Sequence, residues 1–309
     1  MTEGILISTI ATAIAASTPV LIAATGELLT EKTGVYNIGL EGVMLCGALG
    51  GFLAADASSS WIVGVAIGAL VGGFVSGIFG VLTVALRADA IVVGIATILV
   101  ALGVTDVVGQ GHVREPAAAS IPTWEIPGLS EIPYVGNALF KQTVITYVAF
   151  LLPFAVAFLL NRTQHGLNLR AVGENPAAAD AAGIPVIRWR MIYVMVGGLL
   201  AGVGGAVLSL SILDTWLTNI TAGQGWIAFA IVFLAGWRPL GILSGAYLFG
   251  ALGAIGNVGQ AEGWDIPSQV FTALPYIGTI AVMIGRAWIR RGGRGLGWPA
   301  ALGTPFYRG

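Results

Sequence analysis

Charge is scarce in this sequence. Only 9% of its 309 residues are Asp, Glu, Lys or Arg, against roughly 25% in a soluble globular protein. A water-facing surface cannot be covered with so few charges. Hydrophobic residues make up 56% of the chain and mean hydropathy is +0.89, so the main solvent is lipid. Backbone polar groups there must pair internally, which leaves helices or a closed barrel. Lysine is scarcer still. Lys32 and Lys141 are the only two, and neither follows a glycine-rich phosphate loop. ATP hydrolysis through that motif is excluded. The two histidines, His112 and His165, lie far apart in expected loops, and no metal site is expected. There is no His-Glu-x-x-His helix and no nucleophile–base pairing, which argues against an enzyme. No cofactor is expected on this chain. Its one cysteine, Cys46, lies in an apolar run and reads as a small buried hydrophobe. A net charge of −1 gives no hint of nucleic-acid binding. The apolar start lacks basic residues and carries Glu3, so it reads as a first membrane helix rather than a secretory leader.

What the chain has is long apolar runs. A spanning helix needs about 20 such residues. Segments 5–24, 61–86, 90–108, 143–160, 191–213 and 270–289 meet that length. Segments 38–55 and 242–258 are shorter and glycine-rich, and 226–236 is too short to cross straight. The expected fold is therefore all-α, a polytopic bundle of about 8–10 membrane segments, with 226–236 broken or re-entrant. Glycines four apart (Gly64, Gly68, Gly72; Gly73, Gly77; Gly198, Gly202; Gly241, Gly245) predict close helix–helix approach.

Arginine placement predicts orientation. Arg162, Arg170, Arg188 and Arg190 crowd 161–190, and Arg286, Arg290, Arg291, Arg294 and Arg308 crowd the end. With both inside, every basic residue except Arg114 and Lys141 falls inside, and the N-terminus lies outside if 38–55 spans. The chain divides into one transmembrane domain, 1–290, and a basic cytoplasmic tail, 291–309. Loop 109–142 is external. Pro116, Pro122, Pro127 and Pro133 punctuate it and disfavour helix and strand interiors. Its Trp124 and Tyr134 suit a membrane interface.

The internal loop 161–190 holds a short helix with signals at both ends. Asn175 suits the N-cap and Pro176 the first helical position. An alanine run with Asp180 follows. Gly183 suits the left-handed residue after a helix, and Pro185 stops it. Such a helix can connect two spans in solvent, or its smooth face can lie in a partner's groove.

Residues 170–184, RAVGENPAAADAAGI, resemble the coupling-helix motif of binding-protein-dependent permeases for simple sugars, nucleosides and branched-chain amino acids. Residues 26–51, with an NIGLEG core at Asn37 to Gly42, are similar to the nucleoside and simple-sugar branch. A third stretch, 223–241, resembles a segment of the same family with Gly225, Gly236 and Pro239 in register. The resemblance implies a type II-like importer permease that works by alternating access in a prokaryotic cytoplasmic (inner) membrane. It implies a cytoplasmic ATPase subunit carrying ATP and Mg, an extracytoplasmic substrate-binding protein, and a second permease subunit, commonly nonidentical. It places Glu174, Asn175, Pro176, Ala178, Ala179, Ala182 and Gly183 at the ATPase contact.

Interrupted apolar segments in corresponding halves point to a translocation site. Asn37, Glu41, Gln224 and Trp226 stand at 38–55 and 226–236, with Asn257 nearby, and are candidate pathway residues. Other readings stand beside each. Glu41 can sit near the inner face, bonded to backbone N–H groups or Arg87. Asn37 can cap the next helix, and Trp226 can anchor at the interface. Asp89 and Asp106, at segment ends, are expected to face water. The leading cargo is a nucleoside or simple-sugar-type solute, with monosaccharides or branched-chain amino acids as the alternative. The different-class alternative is an ion-coupled secondary transporter, which needs acidic or histidine relays within its helices. Only Glu41 offers itself for that.

Overall fold

A computed structural model describes residues 2–133, 135–261, 263–264, 267–289 and 297–308. Tyr134, the tail segment 291–296 with Arg291 and Arg294, and Arg290 lie outside the described residues, as do the side chains of Glu3 and Arg286.

Helices run α1 Thr2–Glu31, α2 Leu40–Ser58, α3 Trp61–Gly80, α4 Ala90–Gly109, α5 Val135–Leu139, α6 Val144–Arg162, α7 Gln164–Glu174, α8 Pro176–Ala181, α9 Val186–Val207, α10 Gln224–Ala235, α11 Pro239–Ala261 and α12 Ser268–Ile289. α3 and α9 each end in a π-helical turn, Val81–Ala85 and Leu208–Ile212. Seven described helices are long and apolar enough to cross a membrane. With the 22-residue α12 and the 12-residue α10, the chain is the polytopic helical bundle that its composition predicts.

α1, α2, α9 and α10 form the centre, and the outer helices turn apolar side chains outward. Ile91, Val92, Leu99, Val100 and Val107 on α4 are exposed, as are Val148, Leu151 and Phe158 on α6. In water such a surface would aggregate; in a bilayer it faces tails as apolar as itself. The glycine spacing does the work expected of it at the α2–α3–α9 crossing. A Cβ on Gly68 would meet the Gly47 carbonyl oxygen at 2.8 Å, and one on Gly47 would meet Gly202 Cα at 2.5 Å. Backbones touch there, so dispersion contacts replace the hydrophobic drive that lipid does not supply.

Two stretches of irregular backbone enter the bundle. Residues 32–39 fold back under α1, burying Thr33, Val35 and Asn37. α2 then starts deep: a Cβ on Gly39 would meet Thr97 Cβ at 3.1 Å, about 10 Å along α4 at about 1.5 Å per residue. Residues 213–223 also descend, with Trp216, Ile220 and Thr221 buried. Positive φ at Asp214, Asn219, Ala222 and Gly223 allows the reversals. Such backbone survives at membrane depth because protein surrounds it.

Three expectations change. The first helix does not end near 24 but runs to Glu31, which carries Glu27 and Glu31 into the bundle. His165 lies in α7, not in a loop. Proline does not keep strands out of 109–142: Thr123–Glu125 pairs antiparallel with Lys141–Thr143. Each strand is only three residues long, and Thr123–Glu125 fits between Pro122 and Pro127. The loop is fastened over the end of α9, where Ile121 and Ala117 donate to the Leu210 and Asp214 carbonyls.

Candidate functional site

Glu41 stands in the first turn of α2 and is 5% exposed. Its Oε1 accepts from Thr221 Oγ1 at 2.5 Å and from Gly223 N at 2.8 Å; its Oε2 accepts from Gly225 N at 2.6 Å. The carboxylate therefore sits between two helix N-termini, its own and that of α10. Both offer unpaired N–H groups and a positive dipole end to an anion. Glycine at 225 is required here, since a Cβ would meet Glu41 N at 2.6 Å and its Oε2 at 2.8 Å. Of the readings open for Glu41, backbone N–H bonding holds. Arg87 lies elsewhere, its guanidinium 4.4 Å over the Tyr307 ring.

The candidate pathway residues separate into two groups. Gln224 is half-buried beside Glu41, with Oε1 unpartnered. Trp226 follows on α10 and is 43% exposed. Tyr276 of α12 donates to the Ala222 carbonyl at 3.3 Å. Asn37 belongs to a different cluster. Its N–H donates to Glu27 Oε1 at 2.7 Å and its Nδ2 to Ser76 Oγ at 3.3 Å. Its side chain does not cap α2, where Gly39 takes that place. Asn257 is exposed on α11.

The sequence reading missed Glu27 and Glu31, which corrects the view that Glu41 alone offers an acid inside the bundle. Both are fully buried, one turn apart on α1. Glu31 Oε2 accepts from Trp237 Nε1 at 2.5 Å. Trp237 adopts φ +55 after Gly236 at φ +63, and its ring packs edge-on to Phe233 at 4.8 Å. α10 thus joins two acidic anchors: Glu41 at its start and Glu31 just past its end. Twelve residues span about 18 Å, a half-helix.

Segment 161–190 is built as its punctuation predicts. Thr163 accepts from Gly166 N and caps α7. Asn175 Oδ1 accepts from Ala178 N at 3.0 Å, Pro176 opens α8, and Gly183 has φ +83. Ala177, Ala178, Ala181, Ala182 and Gly183 are exposed, with Glu174 and Asn175 beside them. Ala179 departs from the expected contact set. It is 3% exposed and packs inward with Val172 and Val186, so it seats the helix and leaves the other alanines facing out.

The final residues bind this segment to the rest. Ala300 N donates to Glu174 Oε2 at 3.2 Å, Ala301 N to the Gly173 carbonyl and Gly303 N to the Gly34 carbonyl. Phe306 packs beside Ala179, and Arg308 Nε lies 3.2 Å from Asp180 Oδ2. The Lys32 carbonyl packs on Gly173. Burial pushes the Lys32 ammonium below its usual range, and the Glu174 carboxylate partly offsets that. A contact path thus leads from α8 through α7 and Lys32 to Glu31, Trp237, α10 and Glu41.

Residues 9–284 match the family described as "Branched-chain amino acid transport system / permease component". The chain is 36% identical to the putative glucose ABC transporter permease protein TsgC13 of Haloferax volcanii, over 95% of each. It is 35% identical to the nucleoside ABC transporter permease protein NupC of Lactococcus lactis, over 86% of this chain and 88% of that one. It is 34% identical to the guanosine ABC transporter permease protein NupQ of Bacillus subtilis, over 94% and 93%. The last two organisms each also hold a more distant similar permease protein, NupB and NupP. No solved structure matches.

Proposed function

The chain belongs to the branched-chain amino acid transport system permease family, and from that premise we propose that it is the membrane-spanning subunit of an ATP-driven importer carrying a nucleoside or a simple sugar by alternating access. One observation carries the reading. α8 offers an exposed face of alanines, and its buried residue ties it to a contact path that ends at the half-helix held by Glu41. Such a face has no side-chain entropy to lose on docking. Movement of α8 would tilt α10 through Trp237 and change the access to Gln224 and Trp226.

ATP and Mg belong to a separate cytoplasmic ATPase subunit in this reading. A substrate-binding protein delivers solute from outside, and a second permease subunit completes the path in a cytoplasmic (inner) membrane. The occurrence of NupB with NupC and of NupP with NupQ supports a nonidentical pair. The exposed Trp226 ring can stack on a base or lie over a sugar face. An ion-coupled secondary transporter gains from the buried Glu27 and Glu31 but leaves α8 without a purpose.

Ala178→Trp and Ala182→Trp test the proposal. On a free surface each should change stability by no more than about 0.5 kcal/mol. In a close-fitting groove, overpacking costs about 1–3 kcal/mol. The expected result is normal membrane abundance with loss of the co-purifying ATPase and of uptake. Full retention of both in either variant contradicts the reading.

A further inference from the structure

We propose that the cavity between the chain's last residues and the α3–α4 turn binds a phosphate-type oxyanion. The cavity measures about 230 Å³ and is lined by Gly34, Tyr36, Arg87, Asp89, Arg190 and Thr304 among others. Its chemistry is set by Arg190, the fifth residue of α9, which is only 3% exposed. Nε donates to the Thr33 carbonyl at 3.1 Å and Nη1 to the Thr304 carbonyl at 2.9 Å. Nη2 is buried and has no hydrogen-bond partner. It lies against Gly34, where a Cβ would meet it at 2.9 Å. Gly34 has φ +89, so both the space and the backbone conformation beside Nη2 depend on glycine.

A buried guanidinium needs a counter-charge, because taking a cation out of water is costly unless it is paired. Among the described residues neither Arg190 nor Arg87 is in an ion pair. Arg87 lines the same cavity, held at φ +59 with its guanidinium over Tyr307. The one carboxylate present is already engaged: Asp89 Oδ1 accepts from Ile91 N and Val92 N at the start of α4. Two arginines therefore line the cavity against a single carboxylate, one oxygen of which is committed to a helix end. The unpartnered Nη2 of Arg190 can give a phosphate oxygen a charge-assisted hydrogen bond. A bound oxyanion would join Arg190, and through it Thr33 and Thr304, to the α3–α4 turn, fastening the final residues over the internal face. The shared chemistry is a phosphate group, either free or on an anionic lipid headgroup.

The experiment measures thermal unfolding of the delipidated full chain in maltoside detergent, against inorganic phosphate at constant ionic strength and, separately, against added phosphatidylglycerol. The proposal expects a saturable rise in midpoint. A rise with phosphate identifies a free anion, and a rise with the lipid alone identifies a headgroup. Arg190→Gln and Arg87→Gln should each weaken the apparent affinity by about tenfold or more, as for loss of one charge-assisted hydrogen bond. Arg87 is exposed, so its variant folds whether or not the Arg190 variant does, and it decides the matter. No saturable rise from either source overturns the proposal. So does an unchanged response in Arg87→Gln. A linear rise shared by wild type and variants is the general stabilising effect of an excluded salt and also overturns it.

Discussion

Glu41 is the residue on which the two halves of the chain meet. Three donors reach its two oxygens, and an amide in its place can accept through only one oxygen. Glu41→Gln should therefore strand at least one buried N–H, at a cost of about 1–3 kcal/mol. The expected outcome is a lower unfolding midpoint with uptake reduced more than tenfold. Trp237→Phe keeps the ring contact with Phe233 but removes the donor to Glu31. It should lower uptake while leaving ATPase co-purification intact, because α8 is untouched. Uptake unchanged in the Trp237 variant would break the contact path at that point. At this scale the sequence was partly legible. Asn37, Glu41, Gln224 and Trp226 stood out beside interrupted apolar runs. Glu27 and Glu31 did not, because acids after an apolar run read as the water-facing end of a span. Their spacing of four, with no basic residue in the last helical turn, was the available signal.

The elements divide in the same way. α8 could be read almost to the residue, since Asn, Pro and Gly act locally through backbone geometry. The inward turn of Ala179 could not, because it depends on Val172, Val186 and Phe306, which come together only in the fold. That difference supplies a prediction. Ala179→Trp should disturb the seat of α8 and lower the abundance of the chain in the membrane, by overpacking worth about 1–3 kcal/mol. Ala178→Trp, one residue away, should leave abundance normal. Quantitative membrane immunoblots separate the two; equal abundance would contradict the orientation of the helix. The half-helix α10 was legible as a run too short to span. Its partners at both ends were not, since they lie 184 and 206 residues away in sequence.

For the whole molecule, composition was sufficient for the class: so little charge in 309 residues requires a lipid-facing bundle. Sidedness rests on the arginine distribution and is open to direct test. In a Cys46→Ala background, Ala177→Cys should be protected from an impermeant thiol reagent in intact cells, and Glu131→Cys should be labelled. The reverse pattern would invert the molecule and put α8 on the wrong side for an ATPase. The central claim, that this permease moves its solute by ATP hydrolysis in another subunit, is tested most directly in proteoliposomes. These would hold the permease pair and its ATPase, with the binding protein and a radiolabelled nucleoside or sugar outside. Because the cytoplasmic face must see nucleotide, ATP and Mg are enclosed in the lumen. The account predicts uptake that requires luminal ATP, is unaffected by collapsing ion gradients, and is lost with Ala178→Trp. Uptake that persists without ATP and stops when an ion gradient is collapsed would contradict it.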